Sequence, residues 1–267
     1  MSSKNSFSRI FRLFVKSSDP FILEDTKVSA QEVFEVLSSP VTNPHNYKFL
    51  SLPTLACAGK LVITVASAPL NYRNRLAIRN TWGRLGKFLS RTSQSNHNAK
   101  FVNDNKDKTY YNYTVVFFVA GVANDQLRSL LLKESHMYRD MVISSFMDTY
   151  NNLSLKTVAM LKWASTFCPK FGMFLVKCDD DSYVNVPVML KALQDADALP
   201  HENFGRHFVA GFSLFNQQPF RNRESKWYVS FEEYRGYVYP TAVSGSAYGM
   251  RIDTARLLYQ VGLIPDI

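Results

Sequence analysis

The sequence predicts an α/β domain: a mostly parallel central sheet with helices on both faces. Three observations point there. Apolar runs of strand length recur through the middle of the chain, as in Leu61 to Ala66 and Thr114 to Val119. Stretches of helical period lie between them, opened by Asn, Asp or Pro and closed by Gly or Pro. Finally, the acidic triplet Asp179-Asp180-Asp181 directly follows one of these runs. That is the carboxyl end of a strand, where parallel sheets bind ligands.

The elements follow in order. Residues 1–58 hold no sustained period and contain Pro20, Pro40, Pro44 and Pro53, so they read as a poorly ordered stem or linker. The domain spans 59–267. Leu61 to Ala66 is a buried strand ended by Ser67-Ala68-Pro69. Arg75 to Trp82 is a helix that Gly83 ends. The Ser, Asn and Lys of 90–110 form a loop. Thr114 to Val119 is the second strand, closed by Gly121. Asn124 or Asp125 caps a helix with Leu127, Leu130, Leu131 and Tyr138 on one face. Met141 to Ile143 is the third strand. Asn151 or Asn152 caps a helix whose stripe is Leu155, Val158, Ala159, Trp163 and Phe167, stopped by Pro169. Met173 to Lys177 is the fourth strand. Asn185-Val186-Pro187 starts a short helix. From 205 to 250 the pattern is aromatic and irregular, and most of its Trp, Tyr and Phe residues are expected in the core. Asp253 caps a last helix.

The 267 residues are 46% hydrophobic and 14% aromatic, enough for one large domain or two small ones. The formal charge of +9 attracts polyanions. The basic residues are scattered, however, and no nucleic-acid motif is present, so a nucleic-acid partner is not expected. A nucleotide diphosphate or an anionic membrane surface suits the charge equally well. Cys57, Cys168 and Cys178 include no CxxC pair, and their connectivity stays open. Sequons occur at Asn112 and Asn152. The five histidines lack metal-ligand spacing. No apolar run approaches the roughly 18 residues of a membrane span.

In an extended backbone alternate side chains share a face. Asp179 and Asp181 therefore converge on one side while Asp180 points away. Two hard oxygen ligands suit Mn²⁺ or Mg²⁺, with coordination positions left for phosphate oxygens. A solvated acidic turn is the competing reading of the triplet.

Further residues carry a resemblance. Arg75 to Gly83 reads RLAIRNTWG; Glu134, Tyr138 and Asp140 give ExxxYxD; Phe146 to Thr157 reads FMDTYNNLSLKT. Trp163 and Cys168 give WxxxxC, Lys177 to Asn185 fits KxDDDxxVN, and Lys226 to Ser230 with Tyr239-Pro240 give KWxVS and YP. In these motifs, over about residues 60–262, the chain resembles the β-1,3-galactosyltransferase family of Golgi glycosyltransferases, which includes β-1,3-N-acetylglucosaminyltransferases and Fringe-like enzymes.

The resemblance implies a GT-A-like fold with a DxD-type metal site at a strand C-terminus. It implies Mn²⁺ or Mg²⁺, a UDP-sugar donor and a glycan, glycoprotein or glycolipid acceptor. It also implies inverting β-1,3 transfer of a galactose- or N-acetylglucosamine-type hexose on the lumenal side of the Golgi membrane, although the sequence shows no transmembrane segment. By the same resemblance Asp181 ligates the metal, and Asp179 lies near the ribose or the metal's waters. Arg75 and Arg79 line the donor pocket; Asp148 and Lys156 belong to its uridine side. Arg79 with Asp148 as a structural ion pair, and Lys156 on a solvated helix face, are the alternatives. The family's base lies in a late acidic segment, of which Asp266 is the first trace; on that pattern the segment is expected to be incomplete. The alternative function is a catalytically inactive UDP- or glycan-binding homologue. The family's YPxYxxGxGY reads Tyr239 to Tyr248 here, with Ala242 and Ala247 departing from it.

Overall fold

The computed structural model describes residues 46–54, 57, 59–84, 113–168, 173–199 and 207–261. Its frame is a seven-stranded sheet in the order β1-β4-β3-β2-β5-β7-β6. The strands are β1 (Phe49–Ser51), β2 (Leu61–Ala66), β3 (Tyr113–Gly121), β4 (Met141–Met147), β5 (Phe174–Asp179), β6 (Val209–Leu214) and β7 (Ala242–Arg251). The four central strands β4, β3, β2 and β5 are mutually parallel. Antiparallel β1 flanks one side, and antiparallel β7 and β6 the other. The α/β, GT-A-like architecture expected from the sequence is thus the one observed.

The helices are α1 (Tyr72–Asn80), α2 (Asp125–Tyr138), α3 (Leu153–Phe167), α4 (Val186–Ala198) and α5 (Ile252–Val261). The pleat sorts alternate strand residues onto the two faces. Val62, Val116 and Phe118 pack with Met160, Trp163 and Ala164 of α3 and with Ala255 and Leu257 of α5. Leu61, Ile63, Val65, Phe117 and Val119 pack with Ile78 of α1, Leu131 of α2 and Leu193 of α4. Both faces are covered, which is why the central strands read as continuous apolar runs.

Local chemistry sets the element ends. Asn124 caps α2, its Oδ1 accepting from the Leu127 amide at 2.8 Å. Asn185 caps α4 in the same way through the Val188 amide. Asn152 precedes α3 without capping it; its Nδ2 donates to Met147 O instead. Asp253 lies in the first turn of α5, where it accepts from Arg251. Gly249 has no side chain because a Cβ there would come within 2.8 Å of Leu193 Cδ2 on α4.

Several expectations change. β1 lies within the stretch read as a stem, pairing Phe49 with Ser144 of β4. Close by, Cys57 forms a disulfide with Cys168, tying the approach to β2 to the end of α3. β6 and β7 form within the region read as irregular. Leu130, expected on the buried face of α2, is 61% exposed, and Glu134 is buried on that helix instead. The expected aromatic core of the 205–250 region is largely surface: Phe212, Phe220, Trp227, Phe231 and Tyr237 are all exposed.

Candidate functional site at the carboxyl ends of β2 and β5

The parallel strands run in the order β4-β3-β2-β5, so the connections leaving β2 and β5 turn in opposite directions along the sheet. That reversal opens a crevice beyond their carboxyl ends, the favoured ligand position in such sheets. β2 and β5 are in register, Ala66 beside Asp179. Ser67 and the aspartate triplet are therefore neighbours.

The three aspartates have separate environments. Asp180 is buried and heavily bonded. It accepts from Ser67 Oγ at 2.6 Å, from Asn71 Nδ2 at 3.0 Å and from Asn74 Nδ2 at 3.3 Å. Asn71 and Asn74 stand at the N-terminal end of α1, where backbone dipoles also favour a carboxylate. Asp179 is half-buried, and Lys177 Nζ holds its Oδ1 at 2.5 Å. Lys177 also donates to Gly245 O of β7. Asp181 is exposed. β5 ends at Asp179, so Asp180 and Asp181 lie in the turn that follows rather than in extended strand; the turn, not strand alternation, directs Asp180 into the protein.

Ser67 joins the rest of the site. Its hydroxyl accepts from Arg75 Nη1 at 2.9 Å while donating to Asp180. Its carbonyl accepts from Lys156 Nζ at 3.0 Å. Lys156 is buried and pairs with Asp148 at 2.8 Å, which in turn accepts from the Ala120 amide. Lys156 and Asp148 thus join the ends of β2, β3 and β4, and Lys156 is not on a solvated face.

Arg75 and Arg79 lie behind this layer, both buried. Glu134 accepts from Arg75 Nε at 2.8 Å and Nη2 at 2.7 Å, and from Arg79 Nη1 at 2.7 Å. Asp140 takes the other edge of Arg79 at 2.9 and 3.0 Å. The Arg79 guanidinium also lies 3.8 Å from the Tyr138 ring centroid. Arg79 pairs with Asp140 and Glu134 rather than with Asp148. Burial opposes ionisation of Glu134, but the hydrogen bonds and charges of Arg75 and Arg79 outweigh it and lower its pKa. Burial likewise opposes the charge on Arg79, and Asp140 and Glu134 more than restore it.

The structure therefore brings Asp179, Arg75, Asp148 and Lys156 together around Ser67 at the end of β2, leaves Asp181 exposed in the turn after β5, and sets Arg79 deeper. Asp266 lies outside the described residues. Sequence reasoning assigned no site role to Ser67, Asn71, Asn74, Lys177 or Asp180. The detectable signal was Asn71, Asn74 and Arg75 at helical spacing on one polar face. Among the described residues, no group of three or more His, Cys, Asp or Glu side chains converges to hold a metal. The accessible donor set is two carboxylates. That fits a hard cation which takes its remaining ligands from a substrate and water, and does not fit a closed protein cage.

Residues 73–263 match the family model described as Galactosyltransferase. The chain is similar to beta-1,3-galactosyltransferase 2 of Pongo abelii, 27% identical over 247 residues, which are 90% of this chain and 52% of that relative. It is similar also to beta-1,3-galactosyltransferase 1 of Mus musculus, 29% identical over 224 residues, 83% of this chain and 61% of that relative. The chain thus spans between half and two thirds of the length of these curated relatives.

Proposed function

The chain belongs to the galactosyltransferase family, and from that premise we propose that it moves a galactose- or N-acetylglucosamine-type hexose from a UDP-sugar to a glycan acceptor, in β-1,3 linkage with inversion and with a divalent cation. The names of its relatives support the reaction class and linkage. The observation that carries the donor site is the division of labour among the aspartates. Asp180 is locked inward by Ser67, Asn71 and Asn74, so Asp179 and Asp181 remain at the crevice.

On this reading Asp181, with Asp179, holds Mn²⁺ or Mg²⁺, which when bound neutralises charge on the departing diphosphate. The chain's own residues position and balance charge. Lys177 occupies Asp179 Oδ1 and leaves Oδ2 for ligand. It adds a fixed cation where the diphosphate develops negative charge. Lys156 and Asp148 brace the turn after β2 through Ser67 O. Arg75 fixes the Ser67 hydroxyl and accordingly acts as a positioning residue, not a direct donor ligand.

The same reading assigns the chain to the lumenal side of the Golgi membrane. The Cys57–Cys168 disulfide supports an oxidising compartment. Among the described residues, no helix is long and apolar enough to cross a membrane.

The test is titration of UDP with Mn²⁺ and then with EDTA, using wild type and Asp181→Asn, followed by transfer assays with UDP-Gal and UDP-GlcNAc. Metal-dependent binding should fall at least tenfold in the variant. Equal UDP affinity with and without metal, or in both proteins, would overturn the donor-site assignment.

A further inference from the structure

The connection from β4 to α3 carries a motif that the transferase reading leaves unused. Asn152-Leu153-Ser154 is an Asn-X-Ser triplet with no proline at its centre. Asn152 ends the 3₁₀ turn Tyr150–Asn152, and Leu153 opens α3. An asparagine at such a place commonly caps the helix. Here it makes no cap, and its side chain is half-buried. Ser154 is exposed. The other such triplet, Asn112-Tyr113-Thr114, begins outside the described residues and runs into β3, where Tyr113 is buried.

The Asn152 amide carries two hydrogens, and Nδ2 donates one of them to Met147 O at 2.8 Å. An N-linked sugar replaces one amide hydrogen and leaves the other, so the bond to Met147 O is compatible with modification. The same short connection exposes three large apolar side chains: Met147 at 45%, Tyr150 at 58% and Leu153 at 43%. A bulky, solubilising glycan rooted among them shields such a surface from other molecules. The Cys57–Cys168 disulfide belongs to the oxidising compartments in which this modification is made.

Resting on the lumenal assignment, we propose that Asn152 is an N-glycosylation site whose glycan covers the connection from β4 to α3. The co-substrate is an oligosaccharide linked to a lipid diphosphate. The Asn152 amide nitrogen attacks the anomeric carbon of its first sugar. A carbon–nitrogen bond forms, the carbon–oxygen bond to the diphosphate breaks, the nitrogen gives up one proton and the lipid diphosphate leaves. Ser154 supplies the hydroxyl that completes the acceptor triplet.

The test produces the full chain in animal cells behind a cleavable secretory signal, as wild type and Asn112→Gln. Asn152→Gln and Ser154→Ala are each added to Asn112→Gln. The readouts are the gel-mobility shift on peptide-N-glycosidase treatment and the mass of the Asn152 peptide. Asn112→Gln should keep a glycan, and both double variants should lose it. Removing the glycan from native Asn112→Gln should raise binding of an apolar dye. Unmodified Asn152 in folded, disulfide-bonded protein would overturn the site, and unchanged dye binding would overturn the shielding. The chain without the added signal separates the two readings. Asn152 modified behind the signal but unmodified without it would overturn the lumenal assignment and leave the site standing.

Discussion

Replacing Glu134 with alanine should be among the most damaging single changes in the domain, and its size follows from the hydrogen-bond inventory. Glu134 is the shared acceptor for three guanidinium nitrogens of two buried arginines. After truncation Arg75 keeps Ser67 Oγ and the carbonyls of Ala68 and Pro69, and Arg79 keeps Asp140. Arg75, which is wholly buried, then has no carboxylate at all. Removing one member of a buried ion pair costs about 3–5 kcal/mol. For a domain of this size that lowers Tm by about 10 °C. Glu134→Gln, which keeps one acceptor oxygen but no charge, should lose about half as much. The pH dependence has a definite sign. The folded-state pKa of Glu134 is lowered, so its stabilisation is complete above the ordinary carboxylate value of about 4.3 and is lost as pH falls through the lower folded value. Urea denaturation of wild type and Glu134→Gln should therefore show a constant gap at neutral pH that closes only below about pH 4. A loss under about 1 kcal/mol in the alanine variant would refute the reasoning, as would a gap that persists unchanged at pH 3.

Two other outcomes follow from the cysteines. Cys57 and Cys168 are 111 positions apart, and closing a loop of that size is worth about 4.7 kcal/mol in the chain-entropy account, so Cys57→Ala/Cys168→Ala should unfold well below wild type and match reduced wild type in a thermal scan. The Cys178 thiol is pushed up to about 12, chiefly by burial, so a thiol reagent at pH 8 should label native protein negligibly and label it fully in urea; rapid native labelling would contradict the packing of β5.

What was legible in the sequence was whatever depends on local pattern. β2 to β5 announce themselves because both faces of each are covered, and the caps Asn124 and Asn185 sit where Asx start signals put them. β7 was not legible. Ala242 to Arg251 holds Gly245, Gly249 and several small polar residues, and its strand character comes from pairing with β5 on one side and β6 on the other. The inward face of α2 misled for a related reason. A pattern of apolar residues picks Leu130, but the buried position belongs to Glu134, because the arginines of α1 need it there. The exposed rings of 215–241 failed as core predictions because nothing in their composition reveals that Arg221 satisfies the local backbone carbonyls and lets the segment stand off the sheet.

The aspartate triplet shows how a local rule and a tertiary network combine. Three adjacent carboxylates repel one another, and the turn after β5 separates the middle one from its neighbours only in direction. The network makes that separation a fixed feature of the fold. Ser67, Asn71 and Asn74 give Asp180 hydrogen-bond donors without adding a positive charge, and Arg75 behind Ser67 supplies the charge one bond further in. Asp180 is thereby bound into the turn at the end of β2. It fixes the end of β5, where Asp179 lies, and the turn after it, which carries Asp181, at the place where the strand order reverses. A buried carboxylate satisfied this way makes a poor metal ligand and a good anchor. The three aspartates therefore divide into one anchor and two candidate ligands. Arg75, which the sequence motif places at the donor, acts through that anchor.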